Sequence, residues 1–163
     1  MNVQIRRAKT SDYENVSRLI RQVHRLHVHA RPDIYEDSDY PMERDYYEYI
    51  VHLSRFQIWV VEQESDKKLI AYAMTRVNEE ASRPIFRTRK ILIIDDLCVD
   101  EDRRSQGLGR MLWEHILAYA EEVQAESIEL GVSEFNREAI LFYEHLGMKT
   151  RSRRMEMGLR VHE

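Results

Sequence analysis

Residues 97–110, Leu-Cys-Val-Asp-Glu-Asp-Arg-Arg-Ser-Gln-Gly-Leu-Gly-Arg, constrain this chain more than any other stretch. Ahead of them, residues 90–99 are apolar and rich in isoleucine, as a buried strand would be. Behind them, Leu108, Met111, Leu112, Ile116, Ala120 and Val123 recur at helical spacing. A glycine-bearing turn is thereby set between a strand and the N-terminus of a helix. There the first amides have no partner within the helix and the helix dipole is positive, while Gly107 and Gly109 carry no Cβ to hold a ligand off the backbone. The turn is expected to take a pyrophosphate, and the ligand to be a phosphorylated cofactor. Two other phosphate-binding patterns are excluded. A dinucleotide fold needs Gly-x-Gly-x-x-Gly in its first strand–helix unit and an acidic residue roughly 20 positions later. A nucleoside-triphosphate loop needs Gly-Lys-Ser/Thr, and the chain contains neither pattern.

A second element lies downstream. Residues 127–132 read as a strand, followed by Asn136 and a helical run through Ala139, Tyr143, Gly147 and Met148. Arg104-x-x-Gly107-x-Gly109 resembles the acyl-CoA-binding turn of the GCN5-related N-acetyltransferase (GNAT) superfamily, Arg/Gln-x-x-Gly-x-Gly/Ala. The downstream segment is similar to that family's strand, Asn, then Ala-x-x-x-Tyr-x-x-x-Gly-Phe pattern, with Met148 in the usual Phe place. The resemblance implies a GNAT fold of mixed α/β class, forming one domain over residues 1–163. Its central, mostly antiparallel twisted sheet would have six to seven strands, splayed at the acyl-CoA site and flanked by about four helices.

It also implies an enzyme, an acetyl-CoA-dependent N-acetyltransferase. The backbone of Leu97, Cys98 and Val99 would pair with the pantetheine amides, which must be hydrogen-bonded once desolvated. Ser105, Gln106, Gly107, Leu108, Gly109 and Arg110 would cradle the pyrophosphate, with charge from Arg104 or Arg110. Asn136 would bind the pantetheine arm or cap its helix, two compatible roles.

Acetyl transfer from a thioester to an amine poses two proton problems, since the amine must attack as the neutral base and the departing thiolate must be protonated. By the resemblance, Tyr143 is the general acid. Asp95 stands where polyamine acetyltransferases of the family carry a glutamate that binds and helps deprotonate the amine, and it is the expected base or amine anchor. Strand alternation sends its neighbour Asp96 to the opposite face unless a bulge intervenes; deprotonation through water is the rival. The place where ribosomal-protein N-terminal acetyltransferases carry a catalytic glutamate is held by Gly131, which argues against a protein N-terminus as acceptor. A small cationic amine such as a polyamine is therefore the first expectation. Acetylation of a protein lysine or N-terminus, and a non-catalytic acyl-CoA-binding module, are the alternatives.

Composition narrows the partners. Charged residues make up 33% and hydrophobic ones 43%, with no apolar run long enough to span a bilayer, so no membrane partner is expected. A net charge of −4 argues against nucleic acid and for a cationic substrate. Arg151, Arg153, Arg154 and Arg160 read as a solvated strand face. The single cysteine and the absence of a signal-like apolar segment at the start suit the cytoplasm. Cys98 reads as packing, not a nucleophile. A homodimer is what the resemblance suggests.

The remaining pattern predicts a strand at residues 3–7 and a helix capped by Thr10 or Ser11, its apolar stripe running from Val16 to Leu26. A second helix is expected near residues 42–54, strands at 57–62 and 69–75, and a closing strand pair around Lys149 and Met155 to Val161. His24 and His27 share a helix face without an acidic or cysteine partner nearby, so no metal site is expected. With Tyr35, Tyr40, Tyr46, Tyr47 and Tyr49 and the acids Asp33, Glu36, Asp37 and Asp39, that segment suits the wall of a cationic acceptor pocket.

Overall fold

The computed structural model describes residues 2–79, 81 and 83–160. Strand β1 (Val3–Arg7) leads through a 3-10 turn (Thr10–Asp12) into α1 (Tyr13–Ala30). After α2 (Arg44–Val51) come three strands, β2 (Phe56–Gln63), β3 (Leu69–Asn78) and β4 (Ile91–Val99). A second 3-10 turn (Glu101–Arg103), α3 (Leu108–Glu122), β5 (Ser127–Leu130) and α4 (Arg137–His145) complete the order. The chain divides into two compact units, Met1–Gly131 and Val132–Glu163. The first holds the whole sheet, and α4 belongs to the second.

The strands lie in sequence order, β1 to β5. The first three pairings are antiparallel and β4 with β5 is parallel. Alternation along the strands sorts the core into two faces. Ile58, Val60, Tyr72 and Cys98 pack with Val16, Leu19 and Ile20 of α1 and with Tyr47 and Ile50 of α2. On the other face Trp59 meets His115 and Tyr119 of α3 edge-on, at ring separations of 4.4 and 5.2 Å.

Mixed α/β architecture and four α-helices match the expectation; the strand count does not. Among the described residues there are five strands, not six to seven. The anticipated closing pair fails over residues 149–160, which form no strand and are exposed throughout, and Val161 lies outside the described residues. Met155, Met157 and Leu159 alternate as a strand would, yet stand 89%, 82% and 89% exposed. Alternation needs a neighbouring strand to become a ladder, because β preference is expressed through cross-strand packing.

The start of α1 also differs from expectation. Neither Thr10 nor Ser11 caps it; the carboxylate of Asp12 accepts the Lys9 N–H at 2.7 Å. Arg6 grips the same carboxylate with both terminal nitrogens, at 2.7 and 3.0 Å, and donates to Glu62 at 2.6 Å. Asp12 is nearly buried. Burial pushes its carboxyl up, but the hydrogen bonds from Arg6 and Lys9 and the Arg6 charge outweigh this and hold it below the usual carboxylate range. Replacing Asp12 with alanine leaves Arg6 half-paired, so a loss of about 2 kcal/mol is expected at pH 7. A carboxyl depressed in the folded state contributes above its unfolded pKa of about 3.9 and ceases to as pH falls through its folded value. Urea midpoints of Asp12→Ala and the unaltered protein should therefore differ at pH 7 and converge as pH drops below about 4. A gap that persists in acid would exclude the carboxylate as its source.

Candidate functional site

Strand β4 is paired along its length with β3, but with β5 only from Ile91↔Ser127 to Ile94↔Leu130. Strand β5 ends at Leu130, opposite Ile94, and among the described residues no strand lies on that edge of Asp95, Asp96, Leu97, Cys98 and Val99. Main-chain groups on such an edge present the donors and acceptors that an amide-bearing chain can use. Among the described residues, strand β4 thus has no strand partner on that side where the sequence places Leu97, Cys98 and Val99 against pantetheine.

A bulge sits at the same point. Met74 faces Asp96 and Thr75 faces Ile94, which leaves Asp95 as the extra residue. The expected alternation is thereby reset, and both acids meet side chains from one face of β3. Asp95 is spanned by Nε of Arg76, at 3.1 and 2.9 Å to its two oxygens. Asp96 instead accepts a hydrogen bond from the hydroxyl of Tyr72, itself buried in the core. Burial pushes the Asp96 carboxyl up, and bonds from Tyr72 and the Leu97 amide and the nearby His27 only partly counter this. Asp95, expected to meet the amine, is an ion-paired surface acid; the acid with a perturbed environment is its twin.

The turn follows directly. Ser105 (φ 61) and Gly107 (φ 81) are both in the left-handed region, and Gly107 gives way to α3. A Cβ added to Gly107 would meet nothing within 4 Å, so the space above the turn is open. Leu108 is buried and anchors the first turn of α3, whose early amides, at Leu108, Gly109 and Arg110, lack helical acceptors. Arg104, Ser105, Gln106 and Arg110 are exposed around them. Amides at a helix N-terminus flanked by unburied cations form a donor set suited to a pyrophosphate.

In the second unit, Asn136 caps α4, its Oδ1 accepting the Ala139 N–H at 3.2 Å. Gly147 (φ 95) ends the helix, with Met148 N–H bonded to Tyr143 C=O at 3.0 Å and Gly147 N–H to Glu144 C=O at 2.9 Å. This is a Schellman closure, so the Tyr-x-x-x-Gly spacing has a local structural reason beyond any catalytic one. Tyr143 is half-buried and stacks edge-on with Phe142 at 5.2 Å.

The segment between α1 and α2 folds back on the end of α1. His24 Nε2 lies 2.7 Å from the Glu36 carbonyl, and the rings of His24 and His27 both meet Tyr35 edge-on. His27 Nδ1 lies 2.9 Å from the Val23 carbonyl. Among the described residues no group of three or more His, Cys, Asp or Glu side chains is placed to hold a metal. Tyr47 leaves the expected pocket wall altogether: it is fully buried and donates to the Lys9 carbonyl at 2.7 Å. Tyr40, Tyr46 and Tyr49 stay exposed.

A mixed sheet whose one parallel ladder ends ahead of a glycine turn at a helix N-terminus is the architecture of acyl-CoA-dependent N-acetyltransferases. Residues 20–148 match the model of the Acetyltransferase (GNAT) family, and the chain belongs to that family of acetyl-CoA-dependent N-acetyltransferases. The structure is similar to that of a mutant Bacillus halodurans protein, at 36% identity and a TM-score of 0.92 over 96% of this chain and 99% of that one. It shares its fold with glucosamine-6-phosphate N-acetyltransferase from Arabidopsis thaliana, at 21% identity and a TM-score of 0.70 over 98% and 100% of the two chains. Among curated proteins it is 38% identical over 60 residues to the peptidyl-lysine N-acetyltransferase YjaB of Salmonella typhimurium. That match spans 37% of this chain and only 38% of the relative.

Cys98 lies on β4 with its thiol turned into the core, 3.5 Å from the Leu19 carbonyl. Burial, with Asp96 nearby, pushes the thiol up to about 12. The folded protein should therefore resist a thiol reagent at pH 8 and take up one equivalent only on unfolding in urea. Prompt labelling of the folded form would mean that β4 separates from α1.

Proposed function

We propose that the protein transfers the acetyl group of acetyl-CoA to the primary amine of a small cationic acceptor such as a polyamine or related metabolite. The observation that carries this is the end of the β4–β5 ladder at Ile94, which leaves residues 95–99 without a strand on that side among the described residues, ahead of a turn holding Ser105 and Gly107 in the left-handed region. Acetyl-CoA supplies the acyl group as an activated thioester. Leu97, Cys98 and Val99 hold the pantetheine arm through their main chain, with Asn136 as a further partner. Residues 104–110 hold the pyrophosphate. The family-model match, residues 20–148, runs across the boundary at Gly131, which supports reading both units as parts of one catalytic domain.

For the group that anchors the acceptor and takes its proton we propose Asp96 in place of Asp95, whose carboxylate is occupied by Arg76. An ammonium ion is a poor nucleophile. A carboxylate made more basic by burial is a better proton acceptor than a solvated one, and its charge retains the cation. As nitrogen bonds to the acyl carbon and the carbon–sulfur bond breaks, Tyr143 donates a proton to the departing sulfur. That assignment rests on its place in the family pattern. The acids at residues 33–39 and the exposed Tyr40, Tyr46 and Tyr49 support a cationic acceptor.

A second reading, acetylation of a protein lysine, is favoured by the local likeness to the Salmonella enzyme. We place the protein in the cytoplasm as a homodimer acting without nucleic acid or membrane. The negative net charge and the single buried cysteine support the first part, and among the described residues no helix is long and apolar enough to cross a membrane; the homodimer rests on the family resemblance alone. Thiol release from acetyl-CoA across a panel of polyamines, monoamines and lysine peptides separates the readings. Saturable turnover on a polyamine is expected, peptide-only turnover would favour the second, and binding without turnover would end both. Tyr143→Phe should lower kcat by about a hundredfold with coenzyme A affinity unchanged. An unchanged kcat would remove its acid role.

A further inference from the structure

The turn that leads from β4 to α3 is exposed at Glu101, Asp102, Arg104, Ser105, Gln106 and Gly107, so packing of its own side chains does little to shape it. What shapes it is the residue before it. Asp100 is 1% exposed although charged. Its carboxylate accepts from Arg18 Nη1 at 2.8 Å and from Gln22 Nε2 at 3.2 Å, and Lys68 Nζ lies 3.5 Å away. Burial pushes this carboxyl up, but the bonds from Arg18 and Gln22 and the charges of Arg18 and Lys68 more than offset it, so Asp100 stays ionised near neutrality.

Gln22 is used at both ends of its amide. While Nε2 donates to Asp100, Oε1 accepts the Glu101 N–H at 3.0 Å, so it holds the residue just after β4 and the first of the 3-10 turn together. Arg18, one helical turn earlier on the same face of α1, also donates to the Leu69 carbonyl at 2.8 Å. The main chain adds Asp100 N–H to the Ile70 carbonyl at 2.9 Å and Arg103 N–H to the Asp100 carbonyl at 2.8 Å. The turn hangs between two buried anchors, Asp100 at one end and Leu108 at the other.

We infer that Arg18, Gln22 and Asp100 form a clasp by which α1 positions the pyrophosphate-binding turn, making them positioning residues for the nucleotide end of acetyl-CoA. The inference rests on the reading of the turn given above. Amides that are to meet a pyrophosphate together must be held within a fraction of an ångström, and a solvent-exposed turn with left-handed residues at Ser105 and Gly107 does not hold itself there. A clasp ending in a buried, ionised carboxylate supplies that constraint from outside the turn.

The test compares two donors by calorimetric titration, acetyl-CoA and S-acetylpantetheine, the second of which lacks the pyrophosphate. Gln22→Ala should weaken acetyl-CoA binding by about tenfold and change S-acetylpantetheine binding by less than about twofold. Asp100→Asn should give the same pattern more strongly. Because that variant removes a buried charge and can fail to fold, the half-exposed Gln22 carries the decision. Equal weakening of both donors would reduce the clasp to a general structural support, and acetyl-CoA affinity unchanged in Gln22→Ala would overturn it alone. Failure of the unaltered protein to bind acetyl-CoA would overturn the reading of the turn and the clasp with it.

Discussion

The structure turns on the unequal pairing of β4. On one side it is laddered to β3 at both ends and interrupted only at Asp95; on the other its ladder to β5 stops at Ile94. A strand paired on both sides has no main-chain groups to offer, and one paired on neither side has no fixed shape. Half-pairing gives the last residues of β4 a rigid backbone with one edge open, and the bulge at Asp95 falls where the second ladder ends. Bulges bend a strand and increase its twist, and this one falls where β5 ends beside β4.

Helix α1 makes that edge usable. Its apolar stripe, Val16, Leu19 and Ile20, is pressed against the face that carries Tyr72 and Cys98. Its start is tied to β1 and β2 through Asp12, Arg6 and Glu62, and its middle to the end of β4 through Arg18, Gln22 and Asp100. Its C-terminal half holds the segment around Tyr35 through His24 and His27. These ties are ionic or hydrogen-bonded and partly shielded from water, which makes them directional where apolar packing alone is not. One helix therefore links the strand, the turn that follows it and the residues in front of it.

Much of this was legible because local chemistry repeats at fixed spacing. The apolar run at residues 90–99, the glycines at 107 and 109 and the helical recurrence of Leu108, Leu112 and Ile116 are each read within one element, and β4 and α3 form there. Gly147 was legible as a family mark, and the Schellman bonds from Gly147 and Met148 give it a physical cause. What misled was pattern whose outcome depends on distant partners. Thr10 and Ser11 have the right chemistry for a cap, yet no side chain caps α1, and the carboxylate at its start, Asp12, is turned to the Lys9 N–H and to Arg6 of β1. Met155, Met157 and Leu159 alternate without a ladder to join. Asp100 carries nothing in its local sequence to separate it from Glu101 and Asp102, yet it is buried while they are exposed.

The sequence by itself determined the family, the glycine turn at a helix N-terminus, the apolar strand before it and the Asn136 to Gly147 helix, since these depend on conformational preferences within a few residues. Tertiary structure alone decided which of two adjacent acids is buried, where the ladder between β4 and β5 ends, and what holds Asp100. The reason is register: whether a residue is paired, bulged or enclosed depends on what stands opposite it, and the strand or helix opposite is supplied by residues far away along the chain.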